Sequence, residues 1–305
     1  MSISRALKKG DVIGIAAPAS PFDRNKFNKG IRVLEALGFK TLFRKDIFDQ
    51  NRYFAGTEDR RAAEFTELMQ NKEVSAVMFA RGGYGSQRVI PLLDAKVIEA
   101  NKKPVIGFSD ITALLAYLRQ SAGVPTMYGP VITLLGSIKG DVTPASLWAA
   151  LTTKGPIGQL ACKGVKILKP GKATGPLVGG CMSLINSSIG TPYELKSADC
   201  ILFLEDAGEK MYVLDRMLTQ LKMSGAIEKA KGIIFGPLKS PDGEEHEADE
   251  MIGDVLKDFK GPIITSFPTG HTDEFVTLPL GAKTLLDASS AEEAPTLTYI
   301  EGLLE

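Results

Sequence analysis

The chain is poor in histidine and cysteine and carries no net charge. Only His246 and His271 are histidines among its 305 residues, so a reaction that needs an imidazole base has two candidates. The three cysteines, Cys162, Cys181 and Cys200, are odd in number and indicate no disulfide framework. Cys-x-x-Cys and paired-histidine spacings, which are typical of metal sites, are missing from the sequence. We therefore expect no metal and no other cofactor.

Charge and hydropathy limit the kinds of molecule and membrane with which the chain is expected to associate. The 36 basic residues balance the 36 acidic ones, which argues against a nucleic-acid partner. The apolar runs fall well short of the roughly 20 residues that a membrane helix needs. No apolar segment of signal-peptide length precedes Gly10. We expect a cytoplasmic enzyme with no membrane association, and the oligomeric state stays open, with a homodimer as one possibility.

The sequence pattern changes near residue 155. Residues 1–155 alternate short apolar runs, such as Val12–Ala17 and Val74–Ala80, with helical patterns. Repeated βα units predict a doubly wound parallel-sheet α/β domain, with its site at the carboxyl ends of the strands. Residues 156–305 are richer in glycine and proline, with short strand-like runs and one clear helical pattern at Met211–Lys222. They predict a smaller, sheet-rich domain.

Ser109 lies at a junction between a predicted strand and a predicted helix. Pro104–Phe108 is a short apolar run, and Ile111 begins an i, i+3, i+4, i+7 apolar face that continues to Leu118. A serine on such a turn is exposed beside the N-terminus of a helix, where a nucleophile would be well placed. Serine is also among the best helix caps, so a purely structural role is the competing interpretation.

The second half of the chain contains a candidate base that could activate Ser109 and a candidate acid that could orient this base. His271 follows a strand-like run through a Pro/Gly turn, whereas His246 lies in an acidic surface stretch and is expected to be merely solvated. Glu205 follows the apolar run Cys200–Leu204, where a carboxylate could orient an imidazole. The alternatives are that His271 is an inert loop residue and that Glu205 or a neighbouring acid caps the next helix.

A glycine-rich loop, Arg81-Gly-Gly-Tyr-Gly85, follows the predicted strand Val74–Ala80. It fits neither of the common nucleotide-binding patterns, so its glycines are better explained by close approach of backbone N–H groups to a substrate carbonyl. Asp110 and Gly83 are the candidate oxyanion donors, and Arg81 is a candidate partner for a substrate carboxylate. The structural alternative for Arg81 is an ordinary ion pair.

Ordered motifs along nearly the whole chain resemble those of the LD-carboxypeptidases, serine peptidases that trim murein tetrapeptides and include the microcin C self-immunity peptidases among their relatives. The motifs are Gly10–Ser20, Phe54–Arg60, Phe79–Arg88, Gly107–Thr112, Leu204–Glu209 with Tyr212 and Asp215–Arg216, Gly270–His271 and Leu278–Gly281. The resemblance implies a Ser–Glu–His triad at Ser109, Glu205 and His271, with one member in the first domain and two in the second.

The resemblance also supplies the expected substrate, a murein tetrapeptide that loses its terminal D-alanine during peptidoglycan recycling. The chain departs from the family pattern at Cys181, where asparagine is common, and at Phe275, which leaves substrate contacts open. The alternatives are an immunity-type peptidase that cleaves a peptidyl-nucleotide antibiotic, a catalytically silent peptide-binding protein on the same scaffold, and a cysteine hydrolase that uses Cys181.

Overall fold

The computed structural model describes residues 4–160, 164–290 and 292–305, so Cys162 lies outside the described residues. The chain forms two units. The first unit comprises Met1–Gly155, Asp273–Pro279 and Leu303–Glu305, and the second comprises Pro156–Thr272 and Leu280–Gly302. Within the described ranges, no helix combines the length and the apolar character needed to cross a membrane.

The regular elements follow in chain order. Those up to Gly155 are β1 (Val12–Ala16), α1 (Arg24–Ala36), β2 (Lys40–Leu42), α2 (Glu58–Gln70), β3 (Val74–Phe79), α3 (Ser86–Val89), α4 (Ala95–Glu99), β4 (Val105–Gly107), α5 (Ile111–Ala122), β5 (Thr126–Tyr128), α6 (Ile132–Leu135) and α7 (Val142–Thr152). Those after it are β6 (Gly158–Leu160), β7 (Lys166–Lys169), β8 (Gly171–Cys181), α8 (Met182–Ser188), β9 (Ile201–Ala207), α9 (Met211–Met223), β10 (Gly232–Lys239), α10 (Ala248–Val255), β11 (Ile263–Thr265), β12 (Leu278–Leu280), β13 (Lys283–Ala288) and β14 (Thr296–Tyr299). Short 3₁₀ helices occupy Lys45–Phe48, Ile90–Leu92 and Glu245–Glu247.

The sheet of the first unit has the strand order β2-β1-β3-β4-β5-β12. Its pairs from β2 through β5 are parallel. Because β2 lies on one side of β1 and the later strands on the other, the direction of winding reverses between β1 and β3. In open sheets of this kind the loops at the carboxyl ends beside such a reversal form the ligand site. Here these loops meet, since the Ser20 N–H donates to the Gly82 carbonyl at 3.3 Å.

The second unit contains an eight-stranded mixed sheet in the order β6-β14-β13-β8-β9-β10-β11-β7. Its central strands β8, β9, β10 and β11 are parallel, and the flanking pairs are antiparallel. The core of this unit includes Leu202, Phe203 and Ile233, each at most 1% exposed. The parallel centre aligns the carboxyl ends of β9 and β10 at one edge.

These elements confirm the predicted fold class, with a parallel-sheet α/β unit followed by a sheet-rich unit. The helix that begins at Ile111 and the helix that begins at Met211 are both present. The longest strand, β8, was not predicted, because its sequence Gly-Lys-Ala-Thr-Gly-Pro-Leu-Val-Gly-Gly-Cys contains four glycines and a proline. Its last residues Leu177–Cys181 pair in parallel with β9, and tertiary packing there outweighs a poor strand propensity.

Candidate active site

Ser109 stands on a sharp turn between β4 and α5. Its φ is +61°, a left-handed conformation that is uncommon for a residue other than glycine. The cap of α5 is Asp110 and makes no side-chain capping hydrogen bond, so the structure does not support the interpretation of Ser109 as a helix cap. A half-buried serine on a strained strand-to-helix turn is the arrangement in which a nucleophile is held at a sheet edge.

Aromatic packing supports this turn from behind. The Ser109 N–H donates to Oη of Tyr128 at 3.3 Å. The Phe108 ring packs edge-on against Phe275 at 5.2 Å between centroids. Phe275 is fully buried, and its N–H donates to Oγ1 of Thr143 at 2.9 Å. The family departure at Phe275 therefore falls in the core behind Ser109.

The Asp110 side chain ties the glycine-rich loop to the same turn. Its carboxylate accepts hydrogen bonds from the N–H groups of Gly85 at 3.3 Å and Ser86 at 2.8 Å. The Ser86 hydroxyl donates to the Asp110 carbonyl at 2.6 Å. Burial raises the pKa of the Asp110 carboxyl, although these N–H groups and the charge of Arg61 favour its ionised form. The sequence interpretation assigned Asp110 only a backbone role, and the pattern gave no signal for this clamp.

Gly82 is the loop residue that lies against Ser109. A Cβ atom at Gly82 would be 3.1 Å from Cβ of Ser109 and 3.4 Å from the Asp110 nitrogen. Gly83, the loop residue named from sequence, faces Ser20 instead, whose Oγ would be 2.6 Å from an added Cβ. The loop backbone thus approaches the turn closely, and glycine at position 82 makes the approach feasible.

Arg81 is exposed at the start of this loop. Its Nη1 donates to the Pro21 carbonyl at 2.6 Å, which ties the side chain to the segment that follows β1. Within the described part of the chain, a hydrogen bond to the main chain and not an ion pair is the contact that Arg81 makes.

In the second unit, Glu205 and His271 form a hydrogen-bonded pair. Oε2 of Glu205 lies 2.8 Å from Nδ1 of His271 and accepts the His271 backbone N–H at 3.0 Å. Glu205 is completely buried, whereas the His271 side chain is 30% exposed. The cap position of α9 is Lys210, which makes no side-chain capping hydrogen bond, so Glu205 does not cap that helix.

Two glycines make room for this carboxylate. Glu205 projects near the end of β9, and a Cβ atom at Gly236 in β10 would lie 2.8 Å from its Cβ. A Cβ atom at Gly270 would overlap Oε2 of Glu205. Gly270 also has φ +111°, so the turn that delivers His271 depends on glycine both for its backbone conformation and for space.

The pKa of His271 is the result of opposing influences. Burial lowers it, but the hydrogen bond to Glu205 and the charges of Glu205 and Asp206 outweigh burial and raise it above its ordinary value of 6.5. Lys239 acts in the lowering direction. Because a carboxylate accepts only, Nδ1 carries the proton in this pair and Nε2 is left as the basic atom.

Asp206 and Cys181 form a separate buried contact beside Glu205. Oδ2 of Asp206 accepts the Ser183 N–H at 2.7 Å and the Cys181 thiol at 3.4 Å. Burial and the charges of Asp206 and Glu205 raise the pKa of the Cys181 thiol well above its ordinary value. A thiol that stays protonated is a poor nucleophile, which argues against the cysteine-hydrolase alternative.

His246 lines a cavity of about 360 Å³ whose lining also includes Lys239 and Thr272. Its side chain is 77% exposed, and its Nε2 lies 3.9 Å from a Glu247 carboxylate oxygen. This matches the expected solvated surface histidine.

Two family models cover most of the chain. The LD-carboxypeptidase N-terminal domain matches residues 13–129, and the LD-carboxypeptidase C-terminal domain matches residues 174–286. The chain belongs to the LD-carboxypeptidase family. The first match contains Ser109, and the second contains Glu205 and His271.

Individual members of the family are similar over almost their whole length. A probable murein peptide carboxypeptidase of Bacillus subtilis is 34% identical over 99% of this chain and 96% of the relative. The muramoyltetrapeptide carboxypeptidase of Oxalobacter formigenes matches with a TM-score of 0.80 at 25% identity, over 95% of this chain and 98% of that one. The self-immunity protein MccF in complex with glutamyl sulfamoyl guanosine matches with a TM-score of 0.92 at 27% identity, over 99% of each chain. The chain is a member of a family of serine carboxypeptidases.

Proposed function

We propose that this protein is a serine LD-carboxypeptidase that releases the terminal D-alanine of murein tetrapeptides in cytoplasmic peptidoglycan recycling. The observation that carries the proposal is the buried Glu205 carboxylate 2.8 Å from Nδ1 of a partly exposed His271. Supporting it are Ser109 on its strained turn and the similarity to murein peptide carboxypeptidases.

In the proposed reaction, Nε2 of His271 takes the hydroxyl proton of Ser109 as the serine attacks the amide carbonyl on the L-residue side of the L,D bond. Glu205 keeps the imidazole in the required tautomer and stabilises the imidazolium that forms. His271 then donates the proton to the nitrogen of the departing D-alanine. Water, activated by His271, hydrolyses the acyl-enzyme and regenerates Ser109.

The oxyanion of the tetrahedral intermediate needs backbone donors close to Ser109. We assign one to the Asp110 N–H, which follows the nucleophile and lies at the start of α5. We assign the other to the loop that contains Gly82 and Gly83, since a Cβ atom added at Gly82 would lie 3.1 Å from Cβ of Ser109 and 3.4 Å from the Asp110 nitrogen. Arg81 is the proposed partner of a substrate carboxylate, because it is an exposed residue of the same loop and, within the described residues, only its Nη1 is engaged, by the Pro21 carbonyl.

A second candidate is an immunity-type peptidase that cleaves an aminoacyl or peptidyl nucleotide. The structural match to MccF with bound glutamyl sulfamoyl guanosine is the observation that favours it. Both functions use the same acyl-transfer chemistry, so they differ in the leaving group, which is a single D-amino acid in one and a nucleotide in the other.

The deciding experiment compares kcat/KM of the purified protein on L-Ala-γ-D-Glu-meso-diaminopimelyl-D-Ala with the value on aspartyl sulfamoyl adenosine. Mass spectrometry follows the loss of one alanine or the release of the sulfamoyl nucleoside. We expect the tetrapeptide to be preferred. Cleavage of the nucleotide conjugate alone, by folded protein, would replace the recycling function with the immunity function.

A further inference from the structure

Arg61 of α2 is a cation enclosed by the first unit. Its side chain is completely buried, and two of its three guanidinium nitrogens, Nε and Nη2, have no hydrogen-bond partner among the described residues. The guanidinium lies over the Phe54 ring, 4.6 Å from its centroid. Burial of a charge costs free energy unless hydrogen bonds compensate for it, so this side chain stabilises the fold poorly. Such a cost is expected where a residue serves a functional site.

The third nitrogen of Arg61, Nη1, connects two loops. It donates to the Pro18 carbonyl in the loop that follows β1, and to the Gly85 carbonyl, at 2.9 Å, in the loop that follows β3. The backbone approaches the guanidinium closely here, because a Cβ atom at Gly85 would lie 2.9 Å from Nη1 and 2.8 Å from the Phe54 ring. One buried nitrogen therefore holds the loops of two neighbouring strands together.

A second side chain of α2 anchors the loop after β1. Glu64 is completely buried, and its Oε2 accepts the Ala17 N–H at 2.7 Å. Its Oε1 accepts a hydrogen bond from Nη2 of Arg60 at 2.9 Å, which fixes the carboxylate. Because Arg61 and Glu64 are three residues apart in the helix, they lie on one face and bind the consecutive residues Ala17 and Pro18.

The two loops meet beside Ser109. The Ser20 N–H donates to the Gly82 carbonyl at 3.3 Å, and Oγ of Ser20 accepts the Tyr84 N–H at 3.0 Å. Gly82 is the loop residue whose added Cβ would lie 3.1 Å from Cβ of Ser109. A displacement of either loop would therefore move the backbone next to the proposed nucleophile.

Most N–H groups at the end of the glycine-rich loop are already bound. The Tyr84 N–H donates to a serine hydroxyl, and the N–H groups of Gly85 and Ser86 donate to the Asp110 carboxylate. The second oxyanion donor proposed above therefore belongs to the part of the loop before Tyr84. The Gly85 carbonyl that Arg61 binds lies directly after this part, so the bridge restrains the donor.

We propose that Arg61 is a positioning residue for catalysis, which bridges the loops after β1 and β3 and so holds the oxyanion-binding backbone beside Ser109. The inference rests on the proposed function, because it assumes that a tetrahedral intermediate forms at Ser109. Since Arg61 is completely buried, it acts through the loops and not on the substrate. A displacement of about 1 Å near reacting groups can cost about a hundredfold in rate, so loss of the bridge should lower kcat more than binding.

The test compares Arg61→Met, which removes the donors from a side chain of similar length, with Arg61→Lys, whose ammonium can donate to both carbonyls. In Arg61→Met, kcat for D-alanine release should fall by about 10- to 100-fold. Arg61→Lys should recover part of this loss. Calorimetry in a Ser109→Ala background should show a smaller change in the affinity for intact tetrapeptide, because a bound amide carries no oxyanion. Wild-type kcat in Arg61→Met, or a loss of affinity as large as the loss of kcat, would overturn the inference.

Met69→Ala is the matched control in the same helix. Met69 is completely buried, and it follows Arg61 by eight residues, a rise of about 12 Å along α2. The substitution removes core packing and leaves every donor to the two loops in place. Its kcat should equal that of the wild type at a temperature where circular dichroism shows both proteins to be folded. A loss of kcat as large as that of Arg61→Met would attribute the effect to stability and overturn the inference.

A measurement without substrate separates this inference from the proposed function. If the wild type cleaves no tetrapeptide, the proposed function fails, and hydrogen-exchange mass spectrometry of residues 82–86 decides whether Arg61 holds the loop. Faster exchange in Arg61→Met, but not in Met69→Ala, supports the bridge. Equal exchange in Arg61→Met and the wild type, or equally faster exchange in Met69→Ala, contradicts it. If the wild type cleaves the tetrapeptide and Arg61→Met retains its kcat, only the inference fails.

Discussion

One carboxylate oxygen, Oε2 of Glu205, binds both the backbone N–H and Nδ1 of His271, at 3.0 and 2.8 Å. The two contacts fix the position of the residue and the rotation of its ring together. They leave Nε2 as the atom that can accept a proton. Burial lowers the pKa of His271, but the side-chain hydrogen bond to Glu205 and the charges of Glu205 and Asp206 raise it overall. Glu205 is thus expected to control both the orientation and the basicity of His271.

The pH dependence of catalysis should report this pair. Because protonated His271 cannot accept a proton from Ser109, kcat/KM of the wild type should fall as the pH drops through a pKa above 6.5. In Glu205→Gln the charge that raises this pKa is lost, so the inflection should move to lower pH. At alkaline pH, where His271 is neutral in both proteins, kcat/KM of Glu205→Gln should be about 10²- to 10⁴-fold lower than that of the wild type, because the imidazole loses its orientation.

The matched control is His246→Ala, which removes the other histidine. The His246 side chain is 77% exposed. The pH profile of kcat/KM for His246→Ala should therefore coincide with that of the wild type. An unchanged acid inflection in Glu205→Gln would show that the titrating base is not held by Glu205.

Substitution of Gly82 should impair catalysis with little loss of stability. A methyl group there would lie 3.1 Å from Cβ of Ser109 and 3.3 Å from the Phe108 carbonyl oxygen, so the turn at Ser109, the proposed nucleophile, must shift by a few tenths of an ångström. We expect Gly82→Ala to lower kcat by about 10- to 100-fold, since small displacements of reacting groups are costly. Gly253→Ala, where nothing lies within 4 Å of the added methyl group, should leave kcat unchanged. Equal kcat values for Gly82→Ala and the wild type would refute the close approach.

Cys181 should be inert. Burial and neighbouring carboxylates raise the pKa of its thiol, so almost no thiolate forms near neutral pH. In a Cys162→Ser background, iodoacetamide should leave Cys181 unmodified in the folded protein by peptide mass mapping. Cys181→Ala should retain most of the activity. Alkylation of Cys181 in step with loss of turnover would restore the cysteine-hydrolase alternative.

Phe275 should stabilise the first unit and position the proposed nucleophile, Ser109. Its ring is fully buried against Phe108 and Tyr128, the residues that support the Ser109 backbone. Phe275→Ala should lower the free energy of unfolding by about 3–5 kcal/mol in urea titrations. Phe275→Leu should lose less stability. Its kcat should fall by a larger factor than its KM changes, because the packing behind the Ser109 turn loosens. A direct substrate contact would instead alter KM first.

The turn at Ser109 and the Glu205–His271 contact show what the sequence could predict. An apolar run that ends in a serine before a helical face predicts a strand-to-helix turn, because both periodicities are local. Only two histidines were available, and His271 was selected by its Pro/Gly turn. The bond between Glu205 and His271 spans 66 positions in the chain, so the motif resemblance had to supply the pairing.

Other features left no local pattern. Strand β8 contains glycines at Gly179 and Gly180 that resemble a loop, although β9 pairs with them. The hydrogen bonds between Asp110 and Ser86 join two segments that are distant in the sequence. They depend on side-chain geometry, so the spacing of residues in the sequence does not predict them. From the sequence, the departure from the family pattern at Phe275 leaves substrate contacts open, whereas the contacts of Phe275 in the structure place it in the core.

The central claim is that Ser109, Glu205 and His271 act as one catalytic unit. The most direct test measures kcat for D-alanine release by Ser109→Ala, His271→Ala and the double variant, with circular dichroism to establish that each is folded. Each single substitution should lower kcat by at least about a thousandfold, and the double variant should be scarcely worse, because members of a triad do not contribute additively. Substantial turnover by folded His271→Ala, or losses that multiply in the double variant, would contradict the account.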